Sequence, residues 1–334
     1  MTIKDLARES GYSLGTVSRV LNGHPNVSEK ARKAVMAVVE AQGFELNSNA
    51  KNLKQSQSNS ILMVVKGRGN ELFASMVEQY QAIFARTVYP LIIDYIDELD
   101  NEVRRAATLC REKKPLGIVF LGGSHQNFRE EFDKISVPAV LVTGDAGGLQ
   151  FANLSSVAAD DCKGAACAVE YLLRSGHRDI LVLGGDRELS DTSLERYQGC
   201  LDAYRRNGLQ FHEQNYYTCR FSYGSGYEAM ERALQDKTPC TAVFAMADVI
   251  AIGAIRAIRE HGLQVPGDIS VIGYDGLEIG DFLQPKLTTI TQPTAELTRR
   301  SASMLLERID RESAAGHVTI PFTLSCKESV KRRV

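Results

Sequence analysis

The side chains that carry out reactions in other proteins are not arranged to do so here. Six histidines (His24, His125, His177, His212, His261, His317) stand far apart, with no H-E-x-x-H pair or other close ligand spacing, so no metal site is expected. There is no G-x-S-x-G elbow to present a serine and no G-x-x-x-x-G-K-[ST] loop to cradle phosphates. Gly224-Ser225-Gly226-Tyr227-Glu228-Ala229 fits G-x-G-x-x-A but lacks the strand–turn–helix surroundings of a dinucleotide site. These glycines are expected to open a tightly packed helix. No catalytic residue, metal or cofactor is therefore expected, and the chain is not read as an enzyme. Recognition chemistry remains. Arg19 shares an outward helix face with Leu14, Gly15 and Ser18, all small or uncharged. On such a face a guanidinium can donate two hydrogen bonds to guanine in a major groove, and an apolar neighbour can touch a thymine methyl.

Three short helices must position that arginine. The first is expected over about 3–10, with Ile3, Leu6 and Ala7 on one face, and Gly11 breaks it. Ser13 then caps a second helix over 14–21, whose inward residues are Val17, Val20 and Leu21. Asn22-Gly23 stops it, His24-Pro25-Asn26 forms a loop, and Ser28 caps a third helix over 29–42. That helix carries Ala31, Ala34, Val35, Val38 and Val39 inward and ends at Gly43, with Phe44 folding back. Two helices joined by a glycine-containing turn and braced by a third make a helix-turn-helix. The same pattern also fits an ordinary three-helix bundle with no DNA role.

Bulk properties agree with a small basic head on a larger acidic body. Residues 1–60 hold eight Lys/Arg against five Asp/Glu, while the whole chain of 334 residues has net charge −2. Seven scattered cysteines without C-x-x-C point to reduced thiols in a cytoplasm. No apolar run approaches the roughly 20 residues of a membrane span, and MTIKDLARES lacks the layout of a secretory signal. From Ile61 onward, strand-like runs (61–65, 91–96, 117–121, 139–143, 180–184, 242–245, 269–273) alternate with helical segments (72–85, 102–111, 164–175, 194–207, 226–235, 250–261). That alternation specifies parallel sheets covered on both faces, divided between two Rossmann-like lobes. Such sheets bind ligands beyond the carboxyl ends of their strands. Asp248, Asp275 and the loops near Leu72, Asp145, Ser190 and Phe221 are thereby placed around a crevice.

The head string TIKDLARESGYSLGTVSRVLNG, followed by VSEKARKAVMAVVEAQGF, resembles the lactose/galactose-repressor (LacI/GalR) family of transcription regulators. Markers continue along the body as VAADDCKGAACAVEYLLRSGHRDILVLGG, ERYQG, SGYEAM, AMADVIAIGAIRAI, GDISVIGYDG and LTTITQP. The resemblance implies an all-α helix-turn-helix head (1–46), a hinge helix and linker (47–59), and an α/β core (60–334) like periplasmic sugar-binding proteins. It implies discontinuous lobes, the first about 60–157 plus 286–312, the second about 158–285 plus 313–330. It puts Leu14, Gly15 and Arg19 at base-reading positions, Ser13 and Thr16 near phosphates, and adds Asn22 and Lys54 to the DNA contacts. Leu53 matches the leucine that wedges into the minor groove. Leu46 and Asn49 depart from the family's usual proline and apolar residue around that segment. In the crevice, the resemblance makes Asp275 the leading effector-binding carboxylate and Arg196 a second contact. Phe221 stacks on a ring, Thr192 and Leu72 line the site, and Asp248 is a further candidate. The family's frequent asparagine before that aspartate is Ala247 here, and Ser190 stands where the purine-sensing branch has a basic residue.

The function implied is a cytoplasmic bacterial regulator, a repressor, binding a pseudopalindromic DNA operator as a homodimer. A small-molecule effector of carbohydrate type controls it, and no membrane partner is expected. Two rivals stay open: an architectural DNA binder with a vestigial pocket, and a cytoplasmic small-molecule-binding protein with the head as an appendage.

Overall fold

The computed structural model describes residues 3–21, 27–42, 58–311 and 313–333, and the chain divides into two compact units, 1–56 and 57–334. Asn22, Leu53 and Lys54 lie outside the described residues, as do the 22–26 loop, Gly43-Phe44 and residues 47–57 of the hinge and linker.

In the first unit, α1 (Ile3–Ser10), α2 (Leu14–Leu21) and α3 (Glu29–Ala41) follow the apolar spacing. Leu6, Val17, Val20, Ala31 and Val35 are buried, with Val38 and Val39 partly so. Gly11 adopts φ +72°, the left-handed turn that lets α2 leave α1 at an angle. Ser13 caps α2, its Oγ accepting the Thr16 amide at 3.2 Å, and Ser28 caps α3 through the Ala31 amide at 3.3 Å.

The second unit holds two lobes built on six-stranded sheets. In the first lobe β1 (Ile61–Lys66), β2 (Leu91–Ile96), β3 (Gly117–Leu121), β4 (Ala139–Val142), β5 (Leu154–Ala159) and β11 (His317–Ile320) run β2-β1-β3-β4-β5-β11, all parallel. The period of two along β1 sends Ile61, Met63 and Val65 to one face, against α4 (Glu71–Phe84) and α11 (Thr294–Arg311). Leu62 and Val64 go to the other, against α5 (Glu102–Lys113) and α6 (His125–Glu131). A strand covered on both sides reads as continuous apolar sequence, hence ILMVV.

The second lobe repeats the plan with β6 (Ile180–Gly184), β7 (Tyr216–Thr218), β8 (Ala242–Ala245), β9 (Ser270–Asp275), β10 (Thr288–Thr291) and β12 (Thr323–Ser325), in the order β7-β6-β8-β9-β10-β12. Only β12 is antiparallel. One face carries α7 (Asp161–Arg174) and α8 (Asp191–Arg206), the other α9 (Tyr223–Gln235) and α10 (Asp248–Glu260). The glycine motif has a packing role. A Cβ on Gly226 would press on the Ile250 backbone, and one on Gly253 would collide with the Tyr223 carbonyl, so α9 and α10 meet backbone to backbone.

The lobe boundaries differ from those expected. Thr288–Thr291 pairs with β9 and belongs to the second sheet, whereas 286–312 was expected in the first lobe. His317–Ile320 pairs with β5 in the first sheet, whereas 313–330 was expected in the second. The chain therefore crosses between lobes after Ala159, around Gln292-Pro293, and at Pro321-Phe322. Each crossing lies where one lobe's strand has ended, and apolar pattern alone does not say which sheet a strand joins. Most body helices also begin earlier than expected. Asp160, Ser190 and Ser222 accept amides of the first turns of α7, α8 and α9, and polar first turns hide the start from an apolar count.

Candidate functional site

In the head, α2 turns Val17 and Val20 into the core and leaves Leu14, Gly15 and Arg19 exposed. Ser13 and Thr16 sit together at its start, their hydroxyl oxygens 3.0 Å apart. Five DNA-contact candidates (Ser13, Leu14, Gly15, Thr16 and Arg19) therefore cluster on the N-terminal turns of α2. Their donors and one arginine are presented by a helix braced from behind.

In the body, a cleft of about 730 Å³ opens between the lobes at the carboxyl ends of their strands. Leu72, Thr192, Arg196, Phe221 and Asp275 all line it, so five of the six expected effector residues are brought together. Asp275 closes β9 at φ +117°, a backbone conformation that a side chain adopts only when its surroundings hold it there. Thr143, another lining residue at a strand end, is at φ +71°. Asp275 is only 7% exposed; its Oδ1 accepts from Gln292 Nε2 at 2.9 Å and lies 3.8 Å from Arg196 Nη2. Burial pushes its carboxyl up to about 6, against the opposing pull of Arg196 and Gln292.

Arg196 is 3% exposed and more firmly held than a free ligand clamp would be. Its Nε donates to Asp161 Oδ1 at 2.8 Å, Nη1 donates to the Met246 carbonyl, and the guanidinium lies 3.6 Å over the Tyr274 ring. Burial disfavours its charge, but Asp161, Tyr274 and Asp275 outweigh that and hold its pKa above the ordinary value. It is a strut under the cleft floor as well as a surface of it. Phe221 is half-buried, packed against both cores of its lobe, in a space kept open because Gly185 has no Cβ to meet its ring.

Asp248, the sixth expected effector residue, is placed elsewhere. It is wholly buried outside the cleft lining, its Oδ2 accepting the Leu277 amide at 2.7 Å and its Oδ1 the Thr289 hydroxyl at 2.6 Å. Both carboxylate oxygens are used to join the start of α10 to β10 and to the turn after β9. Burial and the nearby Asp275 raise its pKa to about 8.

The sequence reading missed Lys66, Asn70, Phe73, Arg220 and Gln292, all of which line the cleft. Lys66 is paired at 2.6 Å with Glu102, which is fully buried and also accepts the Ser124 amide at 2.7 Å. Gln292 stands in the quoted LTTITQP string, at a lobe crossing. Its polar side chain directly after a strand was the available signal. Contacts also bridge the lobes: Arg220 Nη2 to Asp97 Oδ1 at 2.9 Å and Nε to Glu98, Tyr223 to Glu71, and the His125 amide to Asp191 Oδ2 at 2.5 Å.

Among the described residues no group of three or more His, Cys, Asp or Glu could hold a metal ion, and no helix is long and apolar enough to cross a membrane. Residues 2–47 match the family of bacterial regulatory proteins, lacI family, and residues 169–330 match the periplasmic binding protein-like domain. The chain is 32% identical over 98% of its length to the HTH-type transcriptional regulator MalR of Clostridium butyricum, covering 99% of that protein. Its fold aligns with the Lac repressor dimer bound to operator and the anti-inducer ONPF at TM-score 0.77 and 25% identity, covering 99% of each chain. It also aligns with the transcriptional regulator CelR in complex with cellobiose at TM-score 0.70 and 26% identity, over 98% of this chain and 99% of that one. A braced reading helix ahead of two lobes around a polar cleft, matched over nearly its whole length, makes this chain a member of the LacI family of DNA-binding transcriptional regulators.

Proposed function

We propose that the protein is a repressor that binds a pseudopalindromic operator as a homodimer in the bacterial cytoplasm and releases it when a sugar or sugar derivative enters the interlobe cleft. One observation supports a link between ligand binding and movement of the lobes. The two buried groups of the floor are gripped by side chains next to the points where the chain crosses between lobes: Gln292, just after β10, holds Asp275, and Asp161, the first residue of α7 after the β5 crossing, holds Arg196. A ligand that hydrogen-bonds to Asp275 or Arg196 acts directly on the crossings between the lobes. The expected coupling is about 1–3 kcal/mol, the usual range for linked sites. In the head, Arg19 carries direct base readout, Ser13 and Thr16 contact phosphates, Asn22 and Lys54 add further DNA contacts, and Leu53 is the wedge that kinks the operator centre.

Polar side chains on the floor with aromatic and aliphatic walls suit a polyhydroxylated ring, and the relative bound to cellobiose supports that class. No reaction is assigned to the cleft. The test is selection of DNA from a random pool with purified protein, then titration of the selected site with a sugar and nucleoside panel, read by anisotropy at fixed salt. A two-fold symmetric site that weakens with one sugar supports the whole reading. A symmetric site indifferent to every compound removes the effector half, and no preferred site rejects the operator.

A further inference from the structure

The turn from β6 to α8, residues 185–190, forms part of the cleft wall through Gly185, Asp186, Leu189 and Ser190. Its internal hydrogen bonds only close it on itself. The Glu188 amide donates to Asp186 Oδ1 at 2.8 Å, and the Ser190 amide to the Asp186 carbonyl at 3.0 Å. Something else must fix this turn to its lobe.

Arg187, on the same turn but outside the cleft lining, does so. Its guanidinium carbon lies 4.2 Å from the Tyr197 ring centroid and 4.5 Å from that of Tyr216. The two rings meet edge to face, 5.4 Å apart at 86°, and offer the cation two π surfaces. Glu213 closes a third side: its Oε2 accepts from Arg187 Nη1 at 3.1 Å, and the Tyr197 hydroxyl donates to the same carboxylate. The cage thus draws on α8, on β7 and on the short helical turn Glu213–Asn215 ahead of β7. Tyr197 is buried and held edge-on against Phe211 at 5.9 Å. Tyr216 also donates from its hydroxyl to the Gly185 carbonyl at 2.6 Å, so ring and turn are tied twice.

The ion pair alone would hold little, because the Glu213 side chain is 66% exposed and that of Arg187 32%. The rings supply the rest, since a cation over a π face is attracted without a counter-charge. Nor can the turn shift by itself. A Cβ on Gly185 would meet the Phe221 ring and the Ser193 hydroxyl, so movement there presses on a wall residue and on the first turn of α8.

We propose that Arg187 is a positioning residue for effector binding: it fills an aromatic cage outside the cleft and thereby pre-sets the wall at Asp186 and Ser190. It touches no effector itself. The inference rests on the effector-binding role of the cleft, and not on the effector being a sugar.

Hydrogen exchange of peptides spanning 185–190, read by mass spectrometry on the effector-free protein, tests the anchor directly. In Arg187→Ala exchange is expected to quicken roughly tenfold there, while the central strands of the second lobe stay protected. Millimolar guanidinium chloride, far below the molar range that unfolds proteins, is expected to refill the vacated cage and slow exchange again; sodium chloride at equal concentration is not. Arg187→Met, which keeps a long unbranched side chain without the charge, stays fast. The consequence for binding is read by calorimetry with cellobiose, glucose, galactose and adenosine. Whichever of these binds the unaltered protein is expected to bind Arg187→Ala roughly tenfold more weakly and to recover with guanidinium. Unchanged exchange in Arg187→Ala, full protection in Arg187→Met, or a loss that guanidinium does not restore overturns the cage. Quickened exchange with unchanged affinity overturns the positioning role and leaves the effector site standing. If none of the four compounds binds the unaltered protein, the effector reading fails, and the positioning role with it, whatever the exchange shows.

Discussion

Asp275 and Arg196 lie 3.8 Å apart on the cleft floor, and burial pulls each toward its neutral form. For Asp275 it prevails in part, leaving the carboxyl at about 6, above its ordinary value. An effector whose hydroxyls donate to this group finds it charged above about pH 6 and protonated below. Effector affinity is therefore expected to fall as pH drops from 7 to 5. In Asp275→Asn it should be weaker by about 1.5–3 kcal/mol at pH 7, the scale of a hydrogen bond to a charged group, and flat across that range; calorimetry at stepped pH measures both. On the DNA side, Arg19→Ala should reduce discrimination between operator and base-substituted sites by about 1–3 kcal/mol. Competition titrations check this, and unchanged discrimination would remove Arg19 from the readout. Side chains such as Arg19 were legible because their helix is short and its inward face unmistakable. Lys66, Arg220 and Gln292 were not, since each meets its cleft neighbours only through sheet topology. Asp248 was ambiguous, because a carboxylate opening a helix after a strand serves a ligand and a buried turn equally well.

Helices α9 and α10 show how packing can reverse a local preference. Alanine favours a helix over glycine by about 1 kcal/mol, which alone would make Gly253→Ala stabilising. Its Cβ, however, would land on the Tyr223 carbonyl and the Tyr227 amide nitrogen, backbone groups that cannot rotate aside. Overpacking of that kind costs about 1–3 kcal/mol, so a net loss is expected, seen as a lower thermal midpoint. A higher midpoint would mean that the two helices separate easily. At this scale the alternation of strand and helix was readable from ILMVV, GIVFL and ILVLG, each a run with no polar face to present. Helix starts were read late, because Asp160, Ser190 and Ser222 are polar and precede the apolar repeat. The short strands β7, β11 and β12 leave little pattern to read, since they are only partly buried.

At the scale of the molecule, the division into a helical head and an α/β body followed from pattern and charge, while the exact exchange of strands between lobes did not. β10 pairs with the strand just before it, but β11 pairs with β5, a partner 161 residues away. The lobes are tied across the cleft mouth by Arg220 on Asp97 and Glu98. These groups are exposed, so salt should screen them. In Arg220→Gln the lobes are expected to open, with a larger radius of gyration by small-angle scattering and an effector off-rate raised roughly a few-fold. High salt should reproduce the opening in the unaltered protein and add nothing in the variant. A variant as compact as the original would show that the remaining bridges suffice.

The pairing of β11 with β5 also has a consequence on the ribosome. Ser156 in β5 meets His317 in β11, a partner 161 residues further along. At a synthesis rate of roughly 5–20 residues per second, that partner arrives about 8–30 s after β5 itself. Until then the first lobe has an open strand edge and, before α11 is made, one sheet face covered only by α4. An unpaired edge beside apolar surface invites pairing with another chain. The nascent protein is thus most vulnerable after its DNA-reading head is complete and while its second lobe is being inserted into its first.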